Sequence, residues 1–184
     1  MFKKTLLATA ATAALLGPVA AFAAGDMGQG FINFTGSVTE APCSILAADS
    51  NLAVDLGQVS KTSLGTANSH GNSVPIEIHM TGCSFAAPTG GGTAPSSKIE
   101  VTFPGQTSTN GIVPNTMGDA TNVGIQLLKA DGSTNYDFTT EGTGVQMHDG
   151  NNVLSFFARI AKSGTGNVTA GSVSSKVAYM LKYK

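Results

Sequence analysis

The sequence contains no tryptophan, three tyrosines and three histidines, and only 11% of it is charged. Without tryptophan and with so few tyrosines, an aromatic platform for stacking sugars is poorly supplied. The histidines, His70, His79 and His148, stand at no metal-ligand spacing, and His79 reads as a plain surface residue. No basic patch stands out, which excludes nucleic acid as a partner. Catalytic signatures are missing too. There is no G-x-S-x-G elbow, and Gly90-Gly91-Gly92 and Gly164-Thr165-Gly166 neither lead into a helix nor carry the Lys-Ser/Thr ending of a phosphate loop. Asp119, Asp131, Asp137, Glu141 and Asp149 are scattered acids whose spacing matches no calcium cage. The sequence therefore implies no enzyme, no cofactor and no metal. Helical periodicity is also weak, and no stretch beyond residue 23 approaches the length of a membrane span.

What is present begins at the amino terminus. Lys3 and Lys4 precede an apolar run from Thr5 to Ala20, and Ala21-Phe22-Ala23 supplies a small-x-small cleavage pattern. Residues 1–23 thus read as a secretory signal peptide. Removing Lys3 and Lys4 leaves an acidic balance, with solubility resting on Ser, Thr, Asn and Gly. Cys43 and Cys83 are the two cysteines, and in an exported chain they are expected to pair rather than remain buried thiols. Closing a loop of about 40 residues stabilises a fold by about 4 kcal/mol in the chain-entropy treatment.

Strand signals recur along the rest. Strands are expected over 31–39, 51–59 (Leu52, Val54 and Leu56 alternating), 74–80 (Val74, Ile76, Ile78), 98–103 (Ile99, Val101, Phe103) and 123–129 (Val123, Ile125, Leu127). Residues 153–161 are nearly continuously apolar, as for a strand covered on both faces. Turn clusters separate these runs, with Asp131-Gly132 suited to a tight hairpin and Pro88 to Ser97 to a long loop. Many short strands with regular turns predict a single all-β sandwich domain.

The two ends stand out. The last strand, "KVAYMLKYK", places Val177, Tyr179, Leu181 and Tyr183 on one face, with Lys176 and Lys182 on the other. Near the start, "GDMGQGFINFTGSV" places Gly28, Gly30, Ile32 and Phe34 on one side of an extended arm, an odd use of apolar bulk for a disposable tail.

These ends, with "APCSI" at Cys43, "VDLGQV" at Val54 to Val59, "IHMTGC" at Cys83, "ATNVGIQLL" and "NNVLSFFARI", occur in an order that resembles the shaft subunits of chaperone–usher fimbriae, of the type 1 major pilin kind. Pro88 to Ser97 departs from that pattern as an insertion-like loop. The resemblance implies an incomplete immunoglobulin-like sandwich that lacks its final strand and is completed by a donor strand from another subunit. It implies that residues 24–34 are the donor arm, carrying Gly28, Gly30, Ile32 and Phe34, and that 35–184 form the pilin domain. Gly30 matches the arm glycine that lies where a neighbour's groove is shallow. Val177, Tyr179, Leu181 and Tyr183 would line the acceptor groove and bind the chaperone. The implied partners are neighbouring copies in a filament, a periplasmic chaperone, an outer-membrane usher and a host-surface receptor reached by the fimbria. The implied route runs through the periplasm to the cell surface. The alternative is a minor adaptor or a carbohydrate-binding adhesin subunit of the same kind of fimbria. A tip adhesin would need a lectin domain in front, for which the chain has no room.

Overall fold

The computed structural model describes residues 30–184. The expected signal peptide, residues 1–23, and the expected arm as far as Gln29 lie outside the described residues. The chain divides after Val38, and Thr39–Lys184 is the folded unit. Residues 30–38 form no strand, and Phe31, Ile32, Phe34 and Val38 are exposed, Val38 completely. The strand expected over 31–39 is therefore not formed; an apolar alternation by itself does not make a strand without a neighbour to hydrogen-bond it.

Eight strands build the folded unit: β1 (Ser44–Ile45), β2 (Val74–Cys83), β3 (Lys98–Thr102), β4 (Ile112–Pro114), β5 (Val123–Leu128), β6 (Val145–Gln146), β7 (Gly150–Lys162) and β8 (Met180–Tyr183). All pair antiparallel. One sheet has five strands in the order β1-β2-β7-β5-β4, and the other has three in the order β6-β3-β8. Between the sheets lies a core in which each strand contributes alternate residues: Ile76, Ile78 and Met80 from β2, Ile99 and Val101 from β3, and Leu154, Phe156 and Ala158 from β7. Phe103 sits edge-on to Tyr136 (5.2 Å) and to Phe156 (5.8 Å), so aromatic contacts join the two sheets. This is the incomplete immunoglobulin-like sandwich that the resemblance implied, its three-stranded sheet being the short one.

The strands expected around 74–80, 98–103 and 123–129 are β2, β3 and β5. β7 differs from its expectation. It runs for 13 residues, and over most of its length only alternate residues are buried, with Val153 and Ser155 exposed. Its outer face is water-exposed, so the apolar run reflects one buried face plus isolated outward Val153 and half-buried Phe157. Residues 51–59 form no ladder strand either. A 3-10 turn over Ala47–Asn51 leads into extended chain with no backbone partner, although Leu56 and Val59 still pack on the core.

Cys43 and Cys83 are joined by a disulfide. It closes the open end of the β1–β2 pair, where Ser84 N–H also donates to the Pro42 carbonyl (2.9 Å). The β2–β7 register shifts between Met80 and Cys83, and Gly82 takes a φ of 62° there, a backbone conformation that glycine adopts without steric cost. At Asp131-Gly132 the chain reverses as expected. The Asp131 carboxylate accepts from the Ser133 and Thr134 amides, at 2.9 and 2.8 Å, and Gly132 has a φ of 66°.

Candidate functional site: a groove beside the last strand

The last strand is held on one side only. Ile99 faces Tyr183 and Val101 faces Leu181 across the β3–β8 ladder. Lys184 N–H donates to the Lys98 carbonyl at 2.8 Å, which makes that pair a hydrogen-bonded one. Bonded and non-bonded pairs alternate in an antiparallel ladder, so Lys182 and Met180 also bond to β3, while Leu181 and Tyr183 direct their N–H and C=O groups to the opposite edge. Among the described residues no strand occupies that edge. Further upstream, residues 175–179 continue extended without a ladder on either side, since β3 ends at Thr102 opposite Met180.

Side chains follow the same period. Val177, Tyr179, Leu181 and Tyr183 are half-buried and pack against the core, whereas Lys176, Ala178, Met180 and Lys182 are exposed. These four core-facing residues form one wall of a cavity of about 690 Å³. Cys43, Ile45 and the segment from Ser50 to Leu56 form the other wall. Ile76, Ile125, Phe156 and Ala158, from the inner face of the five-stranded sheet, make an apolar floor. The missing strand thus leaves both an unpaired backbone edge and an uncovered piece of core, which is a template for an added strand.

Both ends of the near wall are anchored. Upstream, the Asn115 amide donates to the carbonyls of Ala120 (2.9 Å) and Ser172 (3.1 Å), and its oxygen accepts from Ser174 N–H (2.8 Å). Downstream, Lys184 Nζ lies 2.5 Å from Glu100 Oε2, with Lys182 paired to Glu141. The Glu100 hydrogen bond pushes the Lys184 pKa up, and the Lys182 hydrogen bond holds the Glu141 carboxyl down. The two tyrosines reach across. Tyr179 Oη donates to the Asp49 carbonyl at 2.8 Å. Burial pushes the Tyr179 and Tyr183 phenols up, the latter against a lowering hydrogen bond from the Cys43 backbone.

Of the residues expected to act, Val177, Tyr179, Leu181 and Tyr183 lie together on this wall, and Cys43 lines the groove as well as closing the disulfide. Gly30, Ile32 and Phe34 lie in the exposed segment 30–38, and a Cβ added to Gly30 would meet nothing within 4 Å. Gly28 is outside the described residues. The reading of His79 as a plain surface residue is corrected: its Nδ1 lies 2.8 Å from Oδ2 of buried Asp49, which also accepts the His79 amide N–H at 2.6 Å. Sequence reasoning missed Asp49, and it read the floor residues as strand residues without placing them beneath a groove. The only hint at Asp49 was an acid set between the apolar stretches Ile45 to Ala48 and Leu52 to Val54. Among the described residues, no three His, Cys, Asp or Glu side chains are grouped to hold a metal ion.

The model of the fimbrial protein family matches residues 32–184. The chain belongs to the fimbrial protein family. It is 35% identical to the fimbrial-like protein YbgD of Escherichia coli K12 over the whole of both chains. It is 36% identical to the F7-2 fimbrial protein of Escherichia coli, covering 85% of this chain and 86% of the relative. Among solved structures, it matches a subunit of a chaperone–usher pilus rod at a TM-score of 0.66 and 29% identity, over 86% of this chain and 98% of the other. The P pilus rod subunit PapA matches at 0.61 and 28%, over 78% and 100%. This fimbrial chain is accordingly a structural pilin and not an enzyme, a subunit that assembles with others into a cell-surface filament.

Proposed function

We propose that this pilin is a shaft subunit that polymerises by donor-strand exchange: the groove beside β8 receives the amino-terminal arm, residues 24–34, of a neighbouring copy. The observation that carries this reading is the one-strand gap at the free edge of β8 over an apolar floor. A strand laid there satisfies the outward N–H and C=O groups of Leu181 and Tyr183, each bond contributing about 0.5–1.5 kcal/mol net. The arm's exposed Ile32 and Phe34 supply apolar side chains, each worth about 1.5–3 kcal/mol when fully buried. Gly28 and Gly30 on the same face allow close backbone approach where the groove is shallow. Strand addition of this kind, pilins included, is an established recognition mode.

The same reading supplies the route. Residues 1–23 direct export and are removed. A periplasmic chaperone covers the groove until an outer-membrane usher exchanges its strand for the next subunit's arm. Similarity to pilus rod subunits favours the shaft over an adaptor position. The deciding experiment compares wild type with a deletion of residues 24–34, measuring chaperone-bound monomer and surface fibres. The deletion is expected to fold onto the chaperone and to form no fibres. Normal fibres from the deletion would refute the arm as donor strand, and loss of the folded monomer would make the arm part of its own subunit's core.

A further inference from the structure

The two walls of the groove share no backbone ladder, but side chains link them: Tyr183 meets the Cys43 backbone, and Tyr179 meets a residue that is itself tied to the sheet. The Asp49 carboxylate is tied to β2, accepting the His79 amide N–H at 2.6 Å with the imidazole Nδ1 at 2.8 Å. Its backbone carbonyl accepts the Tyr179 hydroxyl at 2.8 Å, a bond that crosses from the near wall. Asp49 sits in the 3-10 turn Ala47–Asn51, and Ser50, Asn51 and Leu52, immediately after it, are the rim of the far wall. The same turn is tied at its start by Leu46 N–H to the His79 carbonyl (2.9 Å), so it is fastened to a fixed strand at two points.

We infer that Asp49 and Tyr179 form a strut that sets the spacing between the groove walls, Asp49 being the positioning residue and His79 its anchor. The proposal rests on the donor-strand reading. An inserted strand needs about 10 Å between its two neighbours, twice the ladder spacing. An apolar trough open to water has a standing tendency to narrow, because narrowing removes apolar surface. A phenol that ends on a fixed carbonyl resists both narrowing and splaying, and it does so with a side chain whose ring still packs on the core. Glu77 also lies near this junction, with Oε2 3.7 Å from His79 Nε2 on the outer side.

The test uses the purified, disulfide-bonded chain from residue 24, with a synthetic peptide of residues 24–38 as the donor probe. Tyr179→Phe removes the hydroxyl and keeps the ring. Asp49→Ala removes the tie to β2. Amide hydrogen exchange of the empty subunit is expected to rise about tenfold at residues 49–51, whose amides bond within the 3-10 turn, in either variant, while the β2–β7 amides keep their protection. Peptide uptake is expected to slow about tenfold, and the double variant is expected to be no slower than the slower single one, as for two groups acting through one contact. Unchanged exchange at residues 49–51 in Tyr179→Phe overturns the strut, as does additive slowing in the double variant. If the wild-type subunit takes up no peptide, the donor-strand reading has failed, and the exchange measurement alone still decides whether the strut holds the walls.

Discussion

Replacing Leu181 with Asp separates the two states in which the groove can exist. In the empty subunit Leu181 is half-buried, and its backbone lies on the open edge. Losing half of a leucine's burial costs about 1 kcal/mol, taking roughly 2 kcal/mol for complete burial. The new carboxylate faces the vacant trough and stays hydrated there. Its neighbours in sequence, Lys182 and Met180, are on the opposite face, and Lys182 and Lys184 are already paired with Glu141 and Glu100. A donor strand changes this balance. Once the arm covers the trough, an unpartnered charge must be desolvated beside Val101, at a cost of about 3–5 kcal/mol. Donor affinity should therefore fall by about 100- to 4,000-fold, at 1.4 kcal/mol per factor of ten. Denaturation of the empty subunit should shift only modestly. The assay is fluorescence anisotropy of a labelled peptide of residues 24–38 titrated with each subunit, with urea denaturation alongside. Leu181→Asn, polar but uncharged, should fall between wild type and Leu181→Asp. Peptide binding by Leu181→Asp within about threefold of wild type would refute the assignment of this wall to the groove, because a buried charge cannot be that inexpensive.

Serine at both Cys43 and Cys83 should cost about 4 kcal/mol and lower the thermal midpoint, by calorimetry of the mature chain. Gly111→Ala should destabilise by about 1–3 kcal/mol in urea denaturation, because Gly111 has a φ of 69° and an added Cβ would stand 2.5 Å from the Leu127 carbonyl oxygen. Acid should expose the Asp131 turn. Hydrogen bonds from Thr134 and Ser133 lower that carboxyl from 3.8 to about 2, so its contribution is complete above pH about 4 and is lost as the pH falls through about 2. An NMR titration of wild type against Asp131→Asn should show the depressed titration only in wild type.

The sandwich was legible because its inner strands alternate cleanly: Ile76, Ile78 and Met80, then Ile99 and Val101, each bury one face. The wall of the groove was legible for the same reason, since Val177 to Tyr183 keep a strand's period even where the chain lacks a ladder. That period was also misleading. Leu52, Val54 and Leu56 alternate like a strand but have no backbone neighbour, and Ile32 and Phe34 likewise. Side-chain pattern reports which residues need cover, whereas a ladder requires a second strand alongside, which the pattern of one segment does not reveal. The short strands β1, β4 and β6, of two or three residues, fall below the window in which alternation can be read. Asp49 stayed hidden because its partners, His79 and Tyr179, lie 30 and 130 residues away.

The disulfide has a mechanical consequence. In a filament joined as proposed, tension enters each subunit through its arm and leaves through the strand it holds in its own groove. Just after the arm, the chain meets β1, whose two residues pair with β2 over only Ser44–Thr81 and Ile45–Met80. So short a ladder would peel first under a pull on the amino terminus. Cys43 precedes it, and its covalent bond hands the load directly to Cys83, at the end of the ten-residue β2, which is laced in turn to β7. Force thus bypasses the weakest hydrogen-bonded segment and spreads into the longest pair of strands in the subunit, where many bonds must shear together before any one of them yields.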